Sequence, residues 1–172
     1  MKVLVTGANG HIGSNVVRSL ISKEYQVKAF VRKESDIRGL EGLDIEYCYG
    51  DVMNAESLEQ AVVGCDAIIH LAAVYKTIAK TPEEIVEPAI EGAKNIFAAA
   101  HKAGIKRVVY TSSIASIGFS YDRNKLLTGK DWNQDAQNPY YIAKTQSEKA
   151  AQELAKKFDI HLVVICPAIV LG

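Results

Sequence analysis

Six apolar runs alternate with stretches of helical period almost from one end of the chain to the other. Strands are read at residues 2–6, 25–31, 43–50, 66–72, 106–113 and 160–166, and helices at 11–23, 54–63, 83–103 and 139–158. Pro88, inside the third helical stretch, marks either a kink or a first-turn proline. Such a rhythm predicts an α/β fold: a doubly wound parallel sheet of about six strands with helices on both faces. The runs DAIIHLA and IHLVVIC are nearly continuous in apolar residues, as strands covered on both sides are. Ligands on such sheets bind beyond the carboxyl ends of the strands. That rule selects residues 7–13, 32–33, 51–52, 71–74, 112–116 and 167–170.

The first of these stretches lies within TGANGHIG, where Gly7, Gly10 and Gly13 recur at spacing three between a strand and a helix. In a turn of this kind the first glycine permits the tight bend, and the second lets backbone approach a diphosphate. The third allows helix and strand to pack closely. Amides at the start of the helix have no carbonyl to bond within it and face an anion.

Composition narrows the partners. Twenty basic and twenty acidic residues cancel, so no basic face is implied, and nucleic acid or a membrane surface is a poor fit. No apolar run approaches the ~20 residues needed to cross a bilayer, and the first residues are too short an apolar run for a signal peptide. Cys48, Cys65 and Cys166 are scattered, with no CxxC pair and no His/Cys ligand spacing. They read as reduced thiols of a cytoplasmic protein, with neither metal nor disulfide.

TGANGHIG, HLAA, YTSS and YYIAK, in this order and spacing, resemble the extended short-chain dehydrogenase/reductase superfamily over nearly all 172 residues. VEPAIEGAKNIF, TGKDW and YIAKTQSEKAAQELA are most similar to its dihydroflavonol reductase and cinnamoyl-CoA reductase branch. The resemblance implies a Rossmann-type NAD(P)-binding domain spanning residues 1–172. It also implies that the chain stops before the region that builds most of the substrate pocket in members of the superfamily.

Tyr140 and Lys144 stand at i and i+4 on the strongest helical pattern and so share a face, whereas Tyr141 points about 100° away. An ammonium beside a phenol favours phenolate and suits the pair to general acid/base work. By matched position in the superfamily, Ser113 is the third catalytic member and hydrogen-bonds the substrate oxygen. Spacing alone does not rank it above Ser112 or Thr111. One departure stands out: where many relatives carry an asparagine three residues before the long helix's glycine, this chain has Ala89 before Gly92.

Arg32 and Lys33 end the second strand, where a forked guanidinium suits the 2′-phosphate of NADP. Glu34 and Asp36 lie close enough to leave NAD open. The turn as a whole, Gly7, Asn9, Gly10, His11, Ile12 and Gly13, is assigned to the cofactor. The resemblance adds Asp51 and Val52 around the adenine, and Leu71, Ala72 and Ala73 beyond the fourth strand. Thr111, Tyr140, Lys144, Pro167 and Ile169 complete the set nearer the nicotinamide. The imidazoles of His11 and His70 lack partners at ligand spacing and read as spectators.

The expected reaction is NADP-dependent reduction of a carbonyl to an alcohol, with Tyr140 as general acid/base. Two alternatives stand beside it: an NAD-dependent nucleotide-sugar epimerase or dehydratase, and a non-catalytic NAD(P)-binding module. The expected substrate is a small carbonyl compound or a sugar nucleotide, with residues 118–137 forming one wall of its pocket. As in relatives, the helices at 83–103 and 139–158 would pair across a homodimer axis.

Overall fold

The computed structural model describes residues 1–73 and 81–171; Val74, in one of the stretches selected from sequence, lies outside them. Six strands form one parallel sheet: β1 (Lys2–Thr6), β2 (Gln26–Val31), β3 (Glu46–Tyr49), β4 (Ala67–His70), β5 (Arg107–Thr111) and β6 (His161–Ile165). Their order is β3-β2-β1-β4-β5-β6. It reverses between β1 and β4, which opens a crevice at their carboxyl ends. Thr6 stands there with Phe30 on one side and His70 on the other.

The period of two in β1 explains how the sheet is covered. Val3 and Val5 point to one face, where they meet Val17 of α1 (His11–Ile21). Leu4 points to the other, into a core shared by α2 (Ala55–Ala61), α3 (Glu83–Lys102) and α5 (Pro139–Phe158). Phe97 of α3 is wholly buried there, and truncation to alanine at such a site costs about 3–5 kcal/mol. The rings of His101 and Phe158 stack at 4.3 Å, joining the ends of α3 and α5.

Three features differ from the sequence reading. The third strand begins at Glu46 rather than near residue 43, because a 3₁₀ turn (Arg38–Leu40) and the tight bonds Leu43 N to Leu40 O and Ile45 N to Leu43 O occupy the backbone before it. Pro88 lies inside α3, past its first turn. Finally, β5 leads through Ser112 and Ser113 into a one-turn helix, α4 (Ile114–Ile117), that no periodicity announced. At the far edge, β6 has a neighbour only in β5 among the described residues, and Val163 and Ile165 are 40% and 48% exposed.

Candidate active site

The glycine turn is built by contact. Gly7 holds φ +68°, and a Cβ there would meet the backbone N of Ala72 at 2.8 Å. Gly13 is tighter still: a Cβ would stand 2.1 Å from the Gly7 carbonyl oxygen. Gly10 begins α1 with no side-chain cap, so the first amides of the helix, those of His11, Ile12 and Gly13, face outward with the positive end of its dipole. The His11 carbonyl is used within the helix, accepting from Asn15 Nδ2 at 2.8 Å. Asn9 Nδ2 donates to the Asp36 carbonyl at 3.0 Å, tying this turn to the loop after β2.

That loop carries Arg32, Lys33 and Glu34, all exposed, into an open cleft shared with Tyr49 and Asp51 at the ends of β2 and β3. Asp36 is occupied elsewhere. Its carboxylate holds the Arg38 guanidinium at 2.6 Å, which brings the acid down to about 2. Val52 faces the other way, toward Gly92 of α3, with its carbonyl held by Asn95 Nδ2 at 3.0 Å.

At the strand reversal Thr6 Oγ1 accepts from Ala72 N at 3.2 Å and lies 2.8 Å from His70 Nδ1. His70 is buried, its ring stacked on Tyr110 at 5.4 Å between centroids, and burial holds the imidazole down at about 3. Sequence alone reads His70 as a spectator. Here it helps wall a small cavity of about 30 Å³ together with Ala89, Tyr110, Tyr140, Lys144 and Ser147. Ala72, Ala73 and Val52 also reach this cavity, whereas Leu71 packs with the core on the α1 face.

Tyr140 and Lys144 are delivered by the start of α5. Asn138 caps it, accepting from Tyr140 N at 2.9 Å, and Pro139 occupies the first position, where its fixed φ suits a helix start. Lys144 Nζ lies 5.9 Å from the Tyr140 ring centroid and donates to the Thr111 carbonyl at the end of β5, 3.4 Å away. Burial lowers the pKa of its ammonium, against smaller raising effects of Cys166 and Glu148.

The adjacent serines, equivalent in sequence, part company in space. Ser112 turns inward, its Oγ donating to Ser116 Oγ at 3.2 Å. Ser113 Oγ instead accepts from Ala115 N at 3.1 Å as the cap of α4, a bond that leaves its own proton available to donate. Pro167 and Ile169 do not line the cavity. The Pro167 carbonyl accepts from Ile114 N, and Ile169 is 86% exposed. The segment beyond α4 returns through Asn133, which donates from its amide to the Ser116 carbonyl at 2.7 Å and from Nδ2 to the Ala115 carbonyl at 3.0 Å.

Among the described residues no cluster of His, Cys, Asp or Glu is arranged to hold a metal ion, and no helix is long and apolar enough to cross a membrane. The three cysteines are free and partly buried, and burial lifts the Cys48 thiol to about 11.

Strand order, with the glycine turn at its reversal, defines a Rossmann-type nucleotide-binding domain. The chain belongs to the NAD dependent epimerase/dehydratase family, whose model matches residues 3–172, in keeping with the resemblance to the extended short-chain dehydrogenase/reductases. It is 36% identical to cinnamoyl-CoA reductase 1 of Petunia hybrida over 99% of this chain and 54% of that one. It is 35% identical to a putative dihydroflavonol 4-reductase of Synechocystis over 98% of this chain and 49% of the relative. The crystal structure of Gre2 from Candida albicans in complex with NADPH superposes with a TM-score of 0.89 at 30% identity, covering all of this chain and 59% of that one. The chain therefore spans about half the length of the relatives it matches.

Proposed function

We propose that the protein is an NADP-dependent oxidoreductase that reduces a carbonyl to an alcohol, with Ser113, Tyr140 and Lys144 as its catalytic residues. One observation carries the reading: Lys144 sits one turn from Tyr140 and reaches the Thr111 carbonyl at the carboxyl end of the sheet, on the edge that also holds the glycine turn. The reductases of cinnamoyl-CoA and dihydroflavonol among its relatives support a reductase over an epimerase.

The residues present fit a dinucleotide. The start of α1 is uncapped, and a Cβ at Gly10 would meet nothing nearer among the described residues than the Gly7 carbonyl oxygen at 3.3 Å, which leaves the turn open there to a diphosphate. Arg32 and Lys33 line an open cleft that also holds Glu34 and Asp51, and their guanidinium and ammonium donors are the groups that suit a 2′-phosphate. The amides of His11, Ile12 and Gly13 would hold the diphosphate, Arg32 and Lys33 the 2′-phosphate, and Lys144 the nicotinamide ribose. The bound nicotinamide supplies the hydride.

The remaining work belongs to this chain. Ser113 donates its hydroxyl proton in a hydrogen bond to the substrate oxygen and holds it near Tyr140. Tyr140 transfers its phenolic proton to that oxygen as negative charge builds there. Lys144 offers a positive charge to the phenolate left behind. Ala89 stands where many relatives place an asparagine, so no side-chain amide at that position takes part in returning the proton.

The test is Tyr140→Phe in the NADPH-dependent reduction of cinnamaldehyde and methylglyoxal. Turnover should fall at least about 1,000-fold while NADPH titration gives an unchanged Kd. Undiminished turnover overturns the assignment of Tyr140. Interconversion of a sugar nucleotide without net loss of NADPH would instead favour an epimerase.

A further inference from the structure

Glu148 is a carboxylate that the proposed reaction does not use, and it is only 4% exposed. It sits on α5 one turn beyond Lys144. Isolated buried carboxylates are costly, and this one is held by hydrogen bonds. Glu148 Oε2 accepts from Ser116 Oγ at 2.6 Å, and Oε1 accepts from Gln152 Nε2 at 3.0 Å. Cys166 Sγ, just past β6, lies 3.9 Å from Oε2.

Ser116 is the hub. Besides Glu148, its Oγ lies 2.7 Å from the Ser113 carbonyl oxygen and receives the Ser112 hydroxyl, and its amide bonds to that same Ser113 carbonyl at 3.0 Å. All three serines are buried. The four-residue α4 is far too short to be stable by itself, and its cap is Ser113 Oγ. Asn133 and the Pro167 carbonyl hold this turn from the loops on either side, and Glu148 adds a side-chain tie from α5, the helix that also carries Tyr140 and Lys144.

We infer that Glu148 is a positioning residue: through Ser116 it locks the Ser113 turn to α5, and so sets the distance between the Ser113 hydroxyl and the Tyr140 phenol. This inference rests on the proposed roles of Ser113 and Tyr140. Misplacing a catalytic group by about 1 Å costs on the order of 100-fold in rate, so the bonded chain from Glu148 to Ser113 governs kcat rather than cofactor affinity.

Glu148→Ala, Glu148→Gln, Ser116→Ala and the Glu148→Ala/Ser116→Ala pair would be compared in reduction of cinnamaldehyde and methylglyoxal, in NADPH titration and in amide hydrogen exchange. Glu148→Ala and Ser116→Ala should each lower kcat about 10- to 100-fold, leave the Kd for NADPH unchanged, and speed exchange at the Ala115 amide. The double variant should be no worse than the poorer single one, because both cut the same chain. Glutamine, which can still accept from Ser116, should restore most of the rate.

Additive losses, a glutamine as harmful as alanine, a parallel loss of NADPH affinity, or undisturbed exchange at Ala115 would each overturn the inference. Should Glu148→Ala fail to fold, Ser116→Ala and Glu148→Gln decide it by the same criteria. The two ideas fail separately. Wild-type protein that reduces neither probe, or Tyr140→Phe that still reduces one, sinks the catalytic reading, and exchange at Ala115 then decides the strut alone.

Discussion

Thr6 Oγ1 lies 2.8 Å from His70 Nδ1 and joins the ends of two neighbouring strands at the point where strand order reverses. The same oxygen also accepts the Ala72 amide, and a hydroxyl that accepts one bond can still either donate to Nδ1 or accept from it. One threonine thereby ties the path of the chain after β4 to a buried ring.

Burial holds His70 at about 3, whereas an unfolded histidine titrates near 6.5. Between those values the unfolded chain takes up a proton that the folded one refuses. Stability is then complete above about pH 6.5 and declines as pH falls toward 3, by up to about 1.4 kcal/mol per pH unit. Urea unfolding across this range should show the slope, and His70→Asn should flatten it even though the variant starts less stable.

Gly13→Ala should be worse than an ordinary glycine replacement in a helix. The added methyl carbon would stand 2.1 Å from the Gly7 carbonyl oxygen, so the helix must move off the strand. A loss of more than about 2 kcal/mol is expected, with NADPH binding impaired in parallel. Thermal melting and fluorescence titration would measure both.

Removing the positive charges beside the cleft should change which coenzyme is preferred. Arg32→Ala with Lys33→Ala should weaken NADPH by at least about 10-fold, as expected for loss of charge-assisted bonds, and leave NADH nearly unaffected. The NADPH effect should shrink at high salt, since these groups are exposed. The ratio of the two Kd values at low and high ionic strength checks the point.

Lys144→Met should separate stability from activity. Burial disfavours the ammonium, so an uncharged chain of similar length should raise Tm by about 2 °C near neutral pH while turnover is lost. The stability gap should narrow as pH rises through the lowered pKa, where wild type sheds the same charge. Calorimetry at neutral and alkaline pH would read both effects.

Elements of regular period were legible in the sequence, and so was whatever lies within one of them. Tyr140 and Lys144 could be paired because a single helix joins them. The ranking of Ser112 against Ser113 could not be read, since it depends on α4, whose four residues are too few to show a period. Glu148 and Ser116 are 32 residues apart, and Thr6 and His70 are 64 apart. Contacts of that span are set by how helices and strands pack, and a lone buried acid or imidazole leaves no mark in local spacing. Asn133, which pins the segment after α4, looked like any loop residue for the same reason.

The outer margin of the sheet has a practical consequence. β6 turns a row of amide and carbonyl groups away from β5, flanked by partly exposed Val163 and Ile165. Among the described residues no strand covers that margin, and an unpaired apolar edge of this sort is a template on which a stray strand can grow. Concentrated stocks of this chain should accordingly cloud with time, and a charged residue at Val163 is the simplest remedy to keep it in solution.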